Sequence, residues 1–468
     1  MKRVNKILLF LFLVALIIRI TFLYSFLVKI WDETVYVNLG YDLSKNPFDY
    51  SFDRLWSDYV PIDWPKAGFR PPLLPYTLSV LFYLNLDSLI DLLLPIIGAS
   101  SVILVFLLAR EMLNEKNAIY SAIFLTVLPV HAYFSGRILT DVFSTFFIIL
   151  TALFFWKGFE KGEIKYKILF GFSLALCILS RYTSIVMIPI FIFYLIIKNK
   201  NLLFLKDKFL WLSVGLFFLT LSPWFFYGIN TYNNPLGPFI HSIRLASYLG
   251  GMEPWYFSFL YLFFGASVIS IIFIISLIFI ILNKKIRNLP AVLFLIIWFS
   301  INFIFILITP HKETRYILPI VAPLVIISSL FLNTLKKYRK QFLNLTILLL
   351  IISVLISLTY TYQINFNDQK NYCFLKANEF LKNLPNNSLV ITDESTTVYY
   401  YSKKATHFYP YPFSLDNLRN LINTYYINKS VYILSIDTSY TSRILDNNFD
   451  IIYRCPEYGN ISFIYKYR

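Results

Sequence analysis

Apolar residues in this chain come in long runs, not in the strict alternation of a half-buried sheet. The first run, Ile7 to Ile18, is followed by a single charge, Arg19, before Lys29. Others cover Leu89 to Ala109 and Ile138 to Trp156, and more begin near Phe209, Trp255, Leu289, Tyr316 and Phe342. A helix needs about 20 apolar residues to cross the hydrocarbon core. Buried helices of a large soluble protein would be shorter and flanked by amphipathic stretches. The pattern therefore predicts a polytopic membrane protein. Lys2, Arg3 and Lys6 ahead of an apolar run resemble a signal-peptide start. No small-residue cleavage site follows, so the segment is read as the first membrane helix.

Composition agrees: 57% of the 468 residues are hydrophobic and only 15% are charged, too few charges to cover a soluble surface of this size. The placement of charge then predicts the threading, because short cytoplasmic loops collect Lys and Arg. That rule puts the N-terminus inside, together with the loops carrying Arg110 and Lys116; Lys157, Lys161, Lys165 and Lys167; Lys198, Lys200, Lys206 and Lys208; Lys284, Lys285 and Arg287; and Lys336, Lys337, Arg339 and Lys340. A consistent path has about 11 membrane helices. They fall near 7–28, 88–108, 118–134, 138–156, 168–180, 182–197, 209–228, 255–282, 290–309, 316–333 and 342–361. A twelfth or thirteenth would be needed if residues 71–86 crossed, paired with an unrecognised re-entry. That stretch is short and opens with prolines, and it is read as a helix lying on the outer leaflet within the outer loop 29–87. The net charge of +16 is mostly explained by these inner loops. No zinc-finger spacing or basic recognition helix accompanies it, so nucleic acid is excluded as a partner.

The tail differs. Residues 362–468 carry short β-like runs, SLVITDE, VYILSID and FDIIYRC, after a helix-like stretch at 372–383. The expectation is an all-α transmembrane domain, 1–361, followed by a small extracytoplasmic α/β domain, 362–468. Cys373 and Cys455 both lie in the tail, where an oxidising compartment permits a disulfide; the sequence leaves their pairing open. Sequons at Asn386, Asn428 and Asn460 fall there too.

Polar groups cluster in the predicted outer turns. WDE (Trp31, Asp32, Glu33) stands at the exit of the first helix, where a carboxylate could serve as general base or simply end a solvated helix. Lys66 and Arg70 precede the pair Pro71 and Pro72, which restrict the backbone and can aim a basic side chain. HAYFSGRILTD places His131, Arg137 and Asp141 close together, with Arg137 and Asp141 four apart. Arg181 sits at a third turn, and HKETRY supplies His311, Lys312, Glu313, Arg315 and Tyr316 at a fourth. Basic residues on the outer face run against the positive-inside trend. A lipid phosphate would explain them, since arginine offers paired donors and lysine a point charge. Headgroup anchoring and internal ion pairs are the plainer explanation.

With these motifs in view, the chain resembles the GT-C type glycosyltransferases, multi-spanning enzymes that use lipid-phosphate-linked sugars. In pattern it is similar to protein O-mannosyltransferases and to the aminoarabinose transferases of lipid A. The resemblance rests on WDE at 31–33, FRPPLLPY at 69–76, GRILTD at 136–141 and HKETRYILPI at 311–320, and covers roughly residues 1–360. It implies inverting transfer of a sugar from a polyprenyl or dolichyl phosphate donor to a hydroxyl of a protein, lipid or glycan. By it, Asp32 would be the base, Glu33 would assist, and Asp141 would be structural or would orient substrate. Lys66, Arg70, Arg137, His311, Lys312 and Arg315 would hold the donor phosphate. No cofactor beyond the donor is implied. Some relatives bind a divalent ion, and Asp32, Glu33, Asp141 and His311 are the residues that could take one. The resemblance also implies a multi-pass cell-membrane protein with its active site outside. Two alternatives stay open from sequence: a transporter or flippase, and a surface-polysaccharide ligase or polymerase. Charges gathered at one face, with no clear internal repeat, favour an enzyme at an interface over a transporter.

Overall fold

The computed structural model describes residues 2–25, 28–29, 31–51, 67–200, 202–249, 253–338, 348, 351, 355, 369–409, 414–425, 429–435, 445, 449–455 and 463–467. The predicted helix at 342–361, Lys66, and the sequons at Asn428 and Asn460 lie largely or wholly outside these. In chain order the helices are α1 (Lys2–Ser25), α2 (Trp31–Lys45), α3 (Leu73–Tyr83), α4 (Ile90–Met112), α5 (Glu115–Val127), α6 (Pro129–Ser135), α7 (Thr140–Phe155), α8 (Ile164–Ser180), α9 (Met187–Asn199), α10 (Lys208–Tyr232), α11 (Gly237–Leu249), α12 (Phe257–Ala266), α13 (Val268–Leu282), α14 (Lys284–Arg287), α15 (Pro290–Ile308), α16 (Val321–Tyr338), α17 (Gln369–Lys382), α18 (Ser395–Ser402) and α19 (Leu415–Tyr425). The chain divides into two compact units. The first comprises Met1–Tyr24, Gly68–Leu74 and Leu86–Thr361, the second Ser25–Ala67, Pro75–Asn85 and Tyr362–Arg468. The division thus groups most of the first long loop, α2 included, with the tail.

The first unit is a helix bundle. Among the described residues, seven helices are long and apolar enough to cross a membrane, or nine if each of two bent pairs forms one span. Their outward faces are greasy: Phe264, Ile308 and Leu219 are 73%, 71% and 68% exposed. A soluble surface would not leave so many such side chains to water, whereas acyl chains accept them. Two predicted spans are not straight. The one at 118–134 breaks between α5 and α6 with a bend of 57°, and the one at 255–282 breaks between α12 and α13 with a bend of 107°. Pro129 explains the first, because it offers no amide to the preceding turn. Ser267 marks the second with a left-handed φ of 51°. The stretch at 71–86 yields α3, whose 11 residues reach only about 16 Å and cannot cross a core of about 30 Å.

Inside the bundle α8 packs on α7 and α10, and α4 packs on α5 and α7. An aromatic core fixes α7, α8, α9 and α15. Phe155 stacks on Phe294 at 5.4 Å and lies 4.5 Å from Phe191, with Phe170 and Tyr194 closing around it. Gly171 lets α8 approach α10 so closely that a Cβ there would collide with the Ser213 carbonyl. This packing holds α7 against α8, the two helices whose ends carry Asp141 and Arg181.

In the second unit, strands β1 (Ser388–Thr392), β2 (Ala405–Phe408), β3 (Ser430–Ser435), β4 (Asp450–Arg454) and β5 (Phe463–Lys466) form a sheet in the order β2-β1-β3-β5-β4. β1 is parallel to β2 and β3, and β5 runs antiparallel to β3 and β4. The three β-like runs read from sequence match β1, β3 and β4; β2 and β5 are additional. Every residue of β1 is buried, as expected of a strand covered on both faces. Leu418, Leu421 and Ile422 of α19 cover one face with Ile391 and Ile433. Phe374, Ala377 and Leu381 of α17 cover the other with Val390 and Leu434. Cys373 and Cys455, whose pairing the sequence left open, form a disulfide with Cα atoms 5.5 Å apart.

Candidate active site

Three turns meet at one end of the first unit. Asp141 stands in the first turn of α7, where a carboxylate is favoured by the helix dipole, and it is only 2% exposed. Arg181 occupies the break after α8, in extended backbone, and its guanidinium Nη1 pairs with Asp141 Oδ1. Arg315, from the turn before α16, brings Nη1 to 3.8 Å from Asp141 Oδ2, an ion pair beyond hydrogen-bond range. Arg315 Nη2 also donates to Glu313 Oε1 at 2.7 Å, and His311 Nε2 meets the same oxygen at 3.1 Å. Arg181 lies over the Tyr316 ring at 5.4 Å. Asp141 is thus an organiser: one buried carboxylate holds two guanidinium groups from separate turns.

Tyr182, next to Arg181, fixes a further turn. Its hydroxyl donates to the carbonyls of Gly68 and Arg70 at 2.7 and 3.2 Å, and accepts from Trp224 Nε1 at 2.9 Å. The backbone carrying Arg70 is therefore anchored one residue from Arg181. Gly68 packs closely there: a Cβ would come within 2.8 Å of the Tyr227 ring and the Tyr232 hydroxyl. Arg137 is buried, four residues ahead of Asp141. The sequence motifs GRILTD, HKETRY and FRPPLLPY thus converge through Asp141, Glu313, Arg315, His311 and the Arg70 backbone.

Other predicted residues are placed differently. Lys312 is 3% exposed, and its ammonium donates to the carbonyls of Thr309 and Glu253 at 2.5 and 3.3 Å. It ties two loops of the bundle together. Asp32 and Glu33 open α2 in the second unit, where Glu33 is buried. There Thr34 and Asn38 bond to Thr396 of α18, so the WDE turn is built against the tail's first crossover helix. Among the described residues, no group of three or more His, Cys, Asp or Glu could hold a metal ion. Arg181, left out of the phosphate-binding set read from sequence, is the principal addition. The signal was present: it is a lone charge between two apolar runs, LCILS and YTSIV.

Residues 69–227 match the family model of dolichyl-phosphate-mannose-protein mannosyltransferases. The match begins at Phe69 and includes Arg70, Arg137, Asp141 and Arg181; the WDE and HKETRY motifs lie outside it. Solved structures extend the likeness to nearly the whole chain. ArnT from Cupriavidus metallidurans bound to undecaprenyl phosphate superimposes with a TM-score of 0.73 at 13% identity, covering 98% of this chain and 97% of that one. Its apo state gives 0.72 at 13% identity, covering 96% of each. The fold is that of the GT-C glycosyltransferases. The oligosaccharyltransferase of Archaeoglobus fulgidus in its apo form gives 0.68 at 14% identity, over 93% of this chain and 69% of that one. No curated protein sequence matches the chain. The expectation of a GT-C membrane bundle with a small C-terminal α/β domain agrees with these likenesses.

Proposed function

We propose that this protein is a glycosyltransferase that moves a sugar from a polyprenyl or dolichyl phosphate to a hydroxyl acceptor at the extracytoplasmic face. The observation that carries the reading is the arrangement around Asp141: two arginines from separate turns share one buried carboxylate at one end of the bundle. The comparisons support the donor class. The ArnT structure holds undecaprenyl phosphate, and the archaeal oligosaccharyltransferase AglB has been solved with dolichol phosphate. The side is supported by charge. Lys157, Lys161, Lys165 and Lys167 crowd the turn at the other end of α7, and short basic turns favour the cytoplasm.

In the proposed reaction the acceptor oxygen attacks the anomeric carbon, and the bond from that carbon to the phosphate oxygen breaks with inversion. The lipid phosphate leaves with an added negative charge. Arg181 and Arg315, with Arg70 and Arg137, stabilise that charge, and preorganised cations aimed at developing charge are worth most in a water-poor site. Asp32 takes the acceptor's proton and Glu33 orients it. His311 acts through Glu313, which holds Arg315 in place. The acceptor is a hydroxyl of a protein, lipid or glycan.

The test is to incubate purified protein with polyprenyl-phosphate sugars and measure release of free polyprenyl phosphate. Release is expected from the unaltered protein and is expected to fall at least about 100-fold in Asp32→Asn. Release unaffected by that substitution removes Asp32 from the base role. No release from any lipid-linked sugar, with measurable substrate flux in proteoliposomes, would make the chain a transporter.

A further inference from the structure

Arg19 has no part in the chemistry above, yet it is a charge buried without exposure inside a membrane helix. Such a residue is costly in hydrocarbon and calls for a specific reason. It does not snorkel to an interface. Its Nη1 donates to the Ala15 carbonyl of its own helix at 2.9 Å and to the Thr126 carbonyl at 3.5 Å. Its Nη2 donates to the Leu125 carbonyl at 3.2 Å and to His131 Nδ1 at 2.8 Å. A guanidinium cannot accept, so His131 is the acceptor and its proton sits on Nε2.

The identity of these acceptors is informative. In an unbroken helix the carbonyl of Leu125 would receive the amide of residue 129, and that of Thr126 the amide of residue 130. Residue 129 is proline and has no amide, and Leu128 is extended, with ψ 114°, as the residue before a proline tends to be. The bend of 57° therefore strips two carbonyls of their donors at a depth where water is scarce. Arg19 supplies both donors from another helix, and through His131 it also grips the first turn of α6. Gly98 of α4 leaves the room: a Cβ there would come within 2.9 Å of Arg19 Nε and of Ser135 Cβ.

One turn further along α1, the same helix meets the far end of α6. Gly136 lies against the α1 backbone, where a Cβ would stand 2.8 Å from the Leu23 nitrogen and 2.9 Å from the Phe22 carbonyl carbon. Phe22 also packs edge-on against Tyr133 at 6.1 Å. α1 thus holds α6 at both ends, and the chain that leaves α6 is Gly136-Arg137-Ile138-Leu139-Thr140-Asp141.

We propose that Arg19 is a positioning residue: by capping the carbonyls that Pro129 leaves without donors, it fixes the α5–α6 hinge and so aims the segment bearing Arg137 and Asp141 at Arg181 and Arg315. The consequence for turnover rests on the glycosyltransferase reading; the hinge does not.

The experiment compares the full-length protein with Arg19→Met, Arg19→Lys and the double variant Arg19→Met/Pro129→Ala in nanodiscs. It reads backbone hydrogen exchange along the chain and turnover per folded molecule, well below the unfolding midpoint. Arg19→Met is expected to speed exchange tenfold or more over residues 126–141, to leave the other spans within twofold, and to lower turnover at least tenfold. Arg19→Lys, with one donor group for four acceptors, is expected to fall between. In the double variant residue 129 regains an amide for Leu125, so exchange over 126–141 is expected to slow again relative to Arg19→Met. Exchange raised evenly along all spans, or unchanged over 126–141, or equally fast in the double variant, would overturn the proposal. Turnover per folded molecule that stays unchanged while exchange rises would overturn the positioning role as well. If Arg19→Met does not fold, Arg19→Lys must show the confined rise, and a uniform rise there overturns it equally. An unaltered protein that shows no turnover with any polyprenyl-phosphate sugar removes the glycosyltransferase reading, and the exchange pattern still decides the hinge.

Discussion

Arg19 and Arg315 both bring a guanidinium into the helix bundle, but they meet different company. Arg19 ends on three backbone carbonyls and a neutral imidazole, all within its own packed layer. Arg315 ends on the carboxylates of Asp141 and Glu313, and shares Asp141 with Arg181. Carbonyls and an imidazole saturate donors without cancelling charge, which suits a fixed brace. Carboxylates cancel charge and can be replaced at the same donors by phosphate oxygens of like geometry. The difference separates a cation that holds the fold from cations that can hold an anionic ligand.

The sharpest way to break that contrast is Asp141→Asn. It leaves Arg181 and Arg315 without their shared counter-charge, and removing one partner of a buried pair costs about 3–5 kcal/mol. A clear fall in thermal midpoint and loss of transfer are expected; an unmoved midpoint would place Asp141 among the dispensable ligands. Next comes Arg315→Gln. Loss of one charge-stabilising donor is expected to lower turnover by about 10²–10³, while stability falls less than in Asp141→Asn, since Asp141 keeps its pair with Arg181. Equal losses in stability and turnover would make Arg315 a brace like Arg19. Gly98→Ala tests the other side. Overpacking against Arg19 and Ser135 is expected to cost about 1–3 kcal/mol in a thermal or denaturant titration. The smallest effect belongs to Glu394, a half-buried acid in the second unit. Glu394 is held above the usual carboxylate range by burial, with the nearby charge of Asp393 adding to it and a hydrogen bond from Thr397 opposing it. A raised acid favours the folded state fully below its unfolded pKa, and that favour is lost as pH rises through the folded pKa. Glu394→Gln is expected to flatten the fall in stability across that window, read as thermal midpoint against pH.

Much of this was legible in the sequence. The runs from Leu89 and Ile138 became α4 and α7 almost residue for residue, because twenty apolar residues in a row have few other places to go. SLVIT, VYILS and DIIYR became strands through β-branched density between polar spacers. Asp141 and Arg315 were visible as charges at helix ends. Other features depend on tertiary partners that no local pattern announces. The ammonium of Lys312 is taken up by two carbonyls, one of them 59 residues away at Glu253. Asp32 and Glu33 fall in the unit built with the tail, because Thr34 and Asn38 find Thr396 across more than 350 residues. The bend at Ser267 had no proline to mark it. Arg19 and Arg181 carried the same mark, a lone charge in an apolar stretch, and only their acceptors distinguish them: carbonyls and an imidazole for Arg19, a carboxylate for Arg181.

Under the proposed function, the Asp141 end of the bundle binds a lipid phosphate through its arginines. Binding of polyprenyl phosphate to the purified protein, set beside the uncharged polyprenol and repeated with Arg315→Gln, tests it without knowledge of the sugar or acceptor. The phosphate is expected to strengthen binding of the unaltered protein by more than about tenfold, or about 1.4 kcal/mol, and Arg315→Gln is expected to abolish most of this gain. Equal binding of the phosphate and the alcohol, or a gain untouched by the substitution, would contradict it.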